Sequence, residues 1–147
     1  MFKFNWYTFS ELTSNQLYEI LKLRAEIFVV EQKCAYLDPD GKDIHALHLL
    51  GMENNHLVAY LRLFLPTETQ KYIIFGRIVT TQYTRKKGYG KKLMHEMLDY
   101  CETNFPHIRI DCSAQYHLKS FYESFGFKTF GEPYDEDGIL HIGMRKN

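Results

Sequence analysis

Arg85-Lys86-Lys87-Gly88-Tyr89-Gly90 sets clustered cations and two glycines directly before the helical pattern Leu93, Met94, Met97, Leu98, Cys101. Such a segment can hold an anion of the pyrophosphate kind. Glycines at 88 and 90 permit backbone angles that other residues disfavour, so successive N–H groups can converge on one anion where a helix begins. The helix dipole favours negative charge at that point. Arg85, Lys86, Lys87, Lys91 and Lys92 add cationic partners. By local spacing alone, a solvated charge run at a helix start reads equally well. The segment lacks the Gly-x4-Gly-Lys-Ser/Thr spacing of a nucleoside-triphosphate loop.

Other residues could handle charge or metal. His45-x-x-His48 has the look of a metal pair, but in a strand the two side chains point to opposite faces, so no metal site is expected. Asp38, Asp40, Asp43, Asp135, Glu136 and Asp137 form two acidic loops. If both face one cleft they would attract a cationic amine; singly, each reads equally well as a solvated turn residue.

The elements that must position these groups follow from periodicity. Residues 2–9 alternate as an entering strand, and Ser10 or Thr13 could start the next helix. Leu17, Ile20, Leu21, Arg24, Ile27 and Phe28 form its apolar stripe, with Arg24 the one polar interruption. Glu31 to Asp43 reads as a polar loop with a turn at Asp38-Pro39-Asp40-Gly41. Strands are expected over 45–52 and 57–65, joined by Glu53-Asn54-Asn55-His56 as a hairpin, then over 72–80 and 108–112. A helix over 88–103 separates the last two, a short helix spans 116–125, and strands over 127–132 and 139–144 flank Tyr134 to Gly138. Strand 72–80, helix 88–103 and strand 108–112 make a βαβ unit, so the two strands should be parallel and the glycine turn should lie at a strand's carboxyl end. Ligands of open α/β sheets bind at such ends.

Composition narrows the class. A chain of 147 residues, 45% of them apolar, can bury one core, so a single domain over 1–147 is expected. Eighteen basic residues balance eighteen acidic ones. Bulk charge therefore offers no general attraction to nucleic acid or to an anionic membrane, and neither is an expected partner. No window is long and apolar enough to span a bilayer, and the N-terminus lacks a secretory pattern. Cys34, Cys101 and Cys112 are odd in number and lack ligand spacing, which fits reduced thiols and a cytoplasmic location.

Arg85-x-x-Gly88-x-Gly90 after a strand, with Phe121-Tyr122-x-x-x-Gly126-Phe127 on the next helix, resembles the acetyl-CoA-binding core of the GNAT superfamily of N-acetyltransferases. Three further segments resemble its ElaA branch: Phe28-Val29-Val30-Glu31-Gln32-x-Cys34-x-Tyr36-x-x-x-Asp40-Gly41-x-Asp43, Ser113-Ala114-Gln115-x-His117-Leu118, and Tyr134-Asp135-Glu136-Asp137-Gly138-Ile139-x-His141. The likeness covers nearly the whole chain. It departs from the pattern at Lys86, where a glycine is usual, and at Gln115, where Asn often contacts the pantetheine arm.

The resemblance implies an α/β (α+β) fold: a mixed, mostly antiparallel twisted sheet flanked by helices, with a central βαβ unit and splayed parallel strands. It implies transfer of an acetyl group from the cosubstrate acetyl-CoA to a primary amine, small-molecule or peptide-borne, without a metal. The chain would be a monomer or homodimer. The runner-up reading is a non-catalytic acyl-CoA-binding or sensing module. In the enzyme reading the backbone of Lys87 to Lys91 would hold the pyrophosphate, and a backbone N–H near Ile78-Val79-Thr80 would stabilise the developing oxyanion. Presenting an alkylamine without its proton costs about 4.6 kcal/mol at neutral pH, so a base is needed. Glu31, matching the branch's Val-Glu-Gln, is the leading candidate to bind the amine or take its proton, with His48 and His141 as alternatives and Asp135 as a further acceptor-side group. Tyr122 matches the superfamily's helix tyrosine and is the candidate general acid for the CoA thiolate.

Overall fold

The computed structural model describes residues 1–147. Its chain order is β1 (Phe2–Thr8), α1 (Ser14–Arg24), β2 (Leu47–Glu53), β3 (His56–Phe64), β4 (Ile73–Thr80), α2 (Tyr89–Asn104), β5 (Ile110–Gln115), α3 (Lys119–Glu123), β6 (Lys128–Glu136) and β7 (Ile139–Lys146). One sheet holds all seven strands in the order β1-β2-β3-β4-β5-β7-β6. Only β4 and β5 run parallel, joined by the crossover helix α2, as the βαβ reading requires. No helix is long and apolar enough to cross a membrane.

Helices cover each face of the sheet, α2 with the stripe the sequence shows and α1 with Leu23 in place of Leu17 and Leu21. Leu93, Met94, Met97 and Cys101 of α2 pack with Tyr122 of α3 on Leu61, Leu63, Phe75, Cys112 and Met144. Ile20, Leu23 and Ile27 pack on Leu50, Tyr60 and Val79 of the opposite face. Thr13, rather than Ser10, caps α1: its Oγ1 accepts from the Gln16 amide at 3.1 Å, and Gln16 Oε1 accepts from the Thr13 amide at 2.9 Å.

The first helix pattern closes at Glu31, as read: after Arg24 it widens into π-helical turns over Ala25–Glu31, which carry Glu31 to the carboxyl end of β4. Two local readings change. His45 lies in a short 3-10 turn before β2, so the opposite-face argument, which assumed one strand, does not apply to it. The Tyr134 to Gly138 segment is mostly strand. Asp137 and Gly138 alone turn, with φ of 54° and 85°, as in a tight hairpin, and β6 runs through Glu136. The Asn54-Asn55 turn, with φ of 50° and 66°, has the same character and lies where the sequence puts it.

Candidate active site

The cleft exists because β4 and β5 part company. They pair only at Ile73 with Ile110 and Ile74 with Asp111. Beyond these, β4 bulges where Arg77 takes a φ of 52°, an uncommon angle for a residue with a side chain, while β5 stays zipped to β7 through Gln115. The opening forms a cavity of about 1250 Å³ that reaches both sheet faces, with Val79 and Thr80 on one wall and Cys112 and Gln115 on the other. The Thr81 amide bonds to the Val58 carbonyl of β3 at 2.9 Å. Strand alternation therefore turns the Thr80 N–H the other way, toward the gap. Ile78, Val79 and Thr80 all line the opening.

At the carboxyl end of β4, a 3-10 turn over Gln82–Thr84 is locked by Thr84, whose Oγ1 is 2.7 Å from that of Thr81. Lys86 and Gly88 then take left-handed φ of 75° and 80°. The amides of Arg85 and Lys87 bond back to this turn, and the first bond within α2 is from the Lys92 amide to the Gly88 carbonyl at 3.1 Å. No side chain caps the helix. The N–H groups of Gly88, Tyr89, Gly90 and Lys91 are thus left pointing out of the helix start, as an anion site requires.

The basic side chains are less available than their number suggests. Arg85 lines the cleft but grips Glu31, Nη2 to Oε2 at 2.5 Å, and Gln82 donates to the same carboxylate. Lys87 pairs with Glu53 at 3.4 Å, and the buried Tyr89 ring stacks on Phe2 while its hydroxyl bonds Glu53. Lys87 and Tyr89 can serve an anion only through the backbone. Lys86 and Lys91 are exposed beside the turn.

Glu31 lines the cleft, yet the Arg85 and Gln82 hydrogen bonds hold its carboxyl below the usual range. That makes it a fixed negative charge rather than a ready proton acceptor. Tyr122 lies on the other sheet face, 4% exposed, its ring among Phe75, Phe121 and Phe127. Its hydroxyl has no hydrogen-bond partner within the chain and reaches the cleft. Burial pushes its phenol above the ordinary value and pushes the neighbouring Cys112 thiol up to about 12, so both keep their protons at neutral pH.

The acidic loop at 38–43 is not free to attract cations. Arg24, wholly buried, donates from Nε to Asp38 at 2.8 Å and from Nη1 to Asp43 at 2.7 Å. Arg62 bonds Asp40 at 2.6 Å and Asp43 at 3.0 Å. Arg77 Nε approaches Asp38 at 2.8 Å as a charge pair without hydrogen-bond alignment, and Tyr36 donates to Asp38 at 3.0 Å. Three guanidinium groups thus neutralise three carboxylates. The signal for this cluster was Arg24 interrupting an apolar stripe; Arg62 and Arg77 gave none, because each sits in a strand whose other residues look like core.

The arginines hold Asp40 and Asp43 below the usual carboxylate range. Their contribution to stability is present above the unfolded-chain value of about 3.9 and is lost as pH falls through the depressed folded values. Thermal melts should therefore show a falling Tm below about pH 4. Asp40→Asn should lower Tm at pH 7 and flatten that fall; an equal pH dependence in variant and parent would contradict the assignment.

His48 does not belong to the cleft. It is fully buried, Nε2 donating to the Asp43 carbonyl at 2.9 Å and Nδ1 facing the Tyr60 hydroxyl at 2.6 Å, and burial lowers its imidazolium from the ordinary value. Both nitrogens are used in propping the acidic loop. Asp135 is exposed and accepts from the Gly138 amide at 3.2 Å; its neighbours Glu136 and Asp137 are the ones that line the cleft. His141 lines it as well, and Gln115 donates to Gln32 at 3.3 Å across it.

Residues 29–147 match the acetyltransferase (GNAT) domain. The chain is 42% identical to protein ElaA of Escherichia coli over 139 residues, covering 93% of this chain and 91% of that protein. The crystal structure of E. coli ElaA superposes with a TM-score of 0.92 at 39% identity, and that of an acyl-CoA N-acyltransferase from Pseudomonas aeruginosa with 0.94 at 38%; both alignments cover 100% of each chain.

Proposed function

The chain belongs to the GNAT acetyltransferase family, in its ElaA-like branch, and from that premise we propose that it transfers an acetyl group from acetyl-CoA to a primary amine by direct attack. The observation that carries the reading is the parting of β4 from β5, which opens one cleft to the free amides at the start of α2, to the Thr80 amide and to the Tyr122 hydroxyl.

Each group then has a task. The amides of Gly88 to Lys91 receive the pyrophosphate of CoA, with Lys86 and Lys91 beside them. The pantetheine arm runs into the gap past Gln115, bringing the thioester carbonyl to the β4 amides, where one preorganised donor is worth about 2.7–4 kcal/mol in the transition state. Tyr122, protonated at neutral pH, gives its proton to the departing thiolate. Glu31, anchored by Arg85, offers the incoming ammonium a fixed negative charge. A cytoplasmic protein, monomeric or dimeric, whose acceptor is a small molecule or a peptide amine, belongs to the same reading; nucleic acid, membrane and metal have no part in it.

Titration calorimetry with acetyl-CoA tests the cradle. An added Cβ at Gly88 meets nothing within 4 Å, so its φ of 80° is the constraint. A left-handed β-branched residue costs about 1–2 kcal/mol, so Gly88→Val should weaken binding about 5- to 30-fold, whereas Gly88→Asn, which tolerates that angle, should bind nearly as the parent. Parental affinity in Gly88→Val would remove the assignment.

A further inference from the structure

The reading above leaves the proton of the acceptor ammonium without a destination, because Glu31 is already held by Arg85 and Gln82. His141 stands directly across the ladder from Gln115, so the two side chains share a face of the sheet. Ile142 and Met144 point instead into the core that holds Tyr122. His141 and Tyr122 therefore approach the cleft from opposite faces, with the gap between β4 and β5 joining them.

The imidazole's hydrogen bonds determine which nitrogen can act. Nδ1 lies 2.8 Å from the Ile139 carbonyl, which can only accept, so Nδ1 carries a proton. In the neutral ring Nε2 is then a bare lone pair, and it faces Glu136 Oε2 at 3.4 Å. Two acceptors confront each other. The arrangement is satisfied by a proton on Nε2 or by an N–H donor placed between the ring and the carboxylate. An ammonium group supplies both.

The geometry points to His141, paired with Glu136, as the general base that takes the proton from the acceptor ammonium, an inference that rests on the amine-acetylation reading above. The ammonium passes one proton to Nε2, giving an imidazolium beside Glu136. The freed lone pair attacks the thioester carbonyl carbon. As the C–N bond forms and the C–S bond breaks, sulfur takes the Tyr122 proton, and the second proton of the nitrogen restores the tyrosine. The imidazolium then loses its proton to solvent, so the sum is an amide, free CoA thiol and one proton.

The groups that bear on the ring's titration are few. Glu136 and the Tyr134 ring, 6.1 Å away, come from β6, and Asp137 comes from the turn, with the Cys34 thiol on its carbonyl. Ser113 and Gln115 of β5 do not titrate. His117, in the turn after β5, and the Glu31–Arg85 pair line the same cleft.

The test is the pH profile of thiol release from acetyl-CoA over a panel of primary amines, a polyamine, an amino sugar and a lysine peptide, with acetyl-CoA affinity measured alongside. His141→Asn should bind acetyl-CoA within about twofold of the parent, lose the limb of the profile that the parent shows and lower kcat/KM by about 100-fold or more. Glu136→Gln, at a half-exposed side chain and so safe for folding, should raise the KM for the amine by up to about fivefold with acetyl-CoA affinity unchanged, because the incoming ammonium loses the carboxylate beside Nε2. A parent that turns over while His141→Asn keeps both rate and limb overturns the base and leaves the acetyltransferase reading standing. An amine KM unchanged in Glu136→Gln overturns the pairing. A parent that binds acetyl-CoA but acts on no amine overturns both the reading and the base.

Discussion

Tyr122→Phe is expected to lower kcat by about 100- to 1,000-fold while acetyl-CoA affinity stays within about twofold, since a positioned acid contributes about 10² to 10⁴ in rate. The lost atom is a hydroxyl without a partner in the chain, and the remaining ring keeps its contacts with Phe75 and Phe127. Stability should therefore be nearly unchanged, which separates a chemical role from a packing role. The size of the defect should also follow the leaving group. A thioester of a more acidic thiol needs less protonation as it departs, so the variant should recover part of the parental rate on such a donor. Steady-state kinetics on two donors, with calorimetry for affinity, decide the matter, and unaltered turnover would remove Tyr122 from the chemistry.

The second large effect is on the fold. Arg24→Met should destabilise the protein by about 3 kcal/mol or more, because removing one partner strands the others as buried, partly uncompensated charges. Asp38 is 4% exposed at its side chain and Asp43 11%, so neither can turn to water. Arg77 and Arg62 still reach them, which keeps the loss toward the lower end of what breaking a buried pair costs. Adding Asp38→Asn to Arg24→Met should return part of the stability, since the stranded charge is then gone. Urea unfolding of the parent, the single and the double variant measures this; a single variant within about 1 kcal/mol of the parent would show the cluster to be dispensable. The same cluster ties the 38–43 loop to α1, β3 and the β4 bulge.

Sequence and structure agree where period and turn chemistry are local. The stripe of α2, the Asn54-Asn55 turn and the parallel pair around α2 need only neighbours to be read, and each is found; in α1 the core takes Leu23 where the stripe put Leu17 and Leu21. The backbone of the glycine turn is legible for the same reason: Gly88 takes the left-handed angle that a glycine there suggests. What escaped reading depends on distant partners. The Arg85 side chain looks like a phosphate ligand until Glu31, 54 positions away, is seen to occupy it. The acidic loop looks like a lure for cations until Arg24, Arg62 and Arg77 arrive from three elements. His48 looks like a base in a strand until Asp43 and Tyr60 take both its nitrogens. In each case a tertiary pairing cancels a charge or occupies a ring nitrogen, and the local pattern of residues does not show it. The bulge at Arg77 is similar, because a positive φ at an arginine is imposed by the strand's surroundings rather than by the residue.

The most direct test of the account is amine-dependent release of CoA thiol from acetyl-CoA by the unmodified protein. Acetyl transfer predicts thiol appearing in proportion to acetylated amine with at least one acceptor of the panel, and release close to background when the amine is omitted. Tight binding of acetyl-CoA with no amine-dependent release from any acceptor would contradict it and would make the cleft a CoA-binding module.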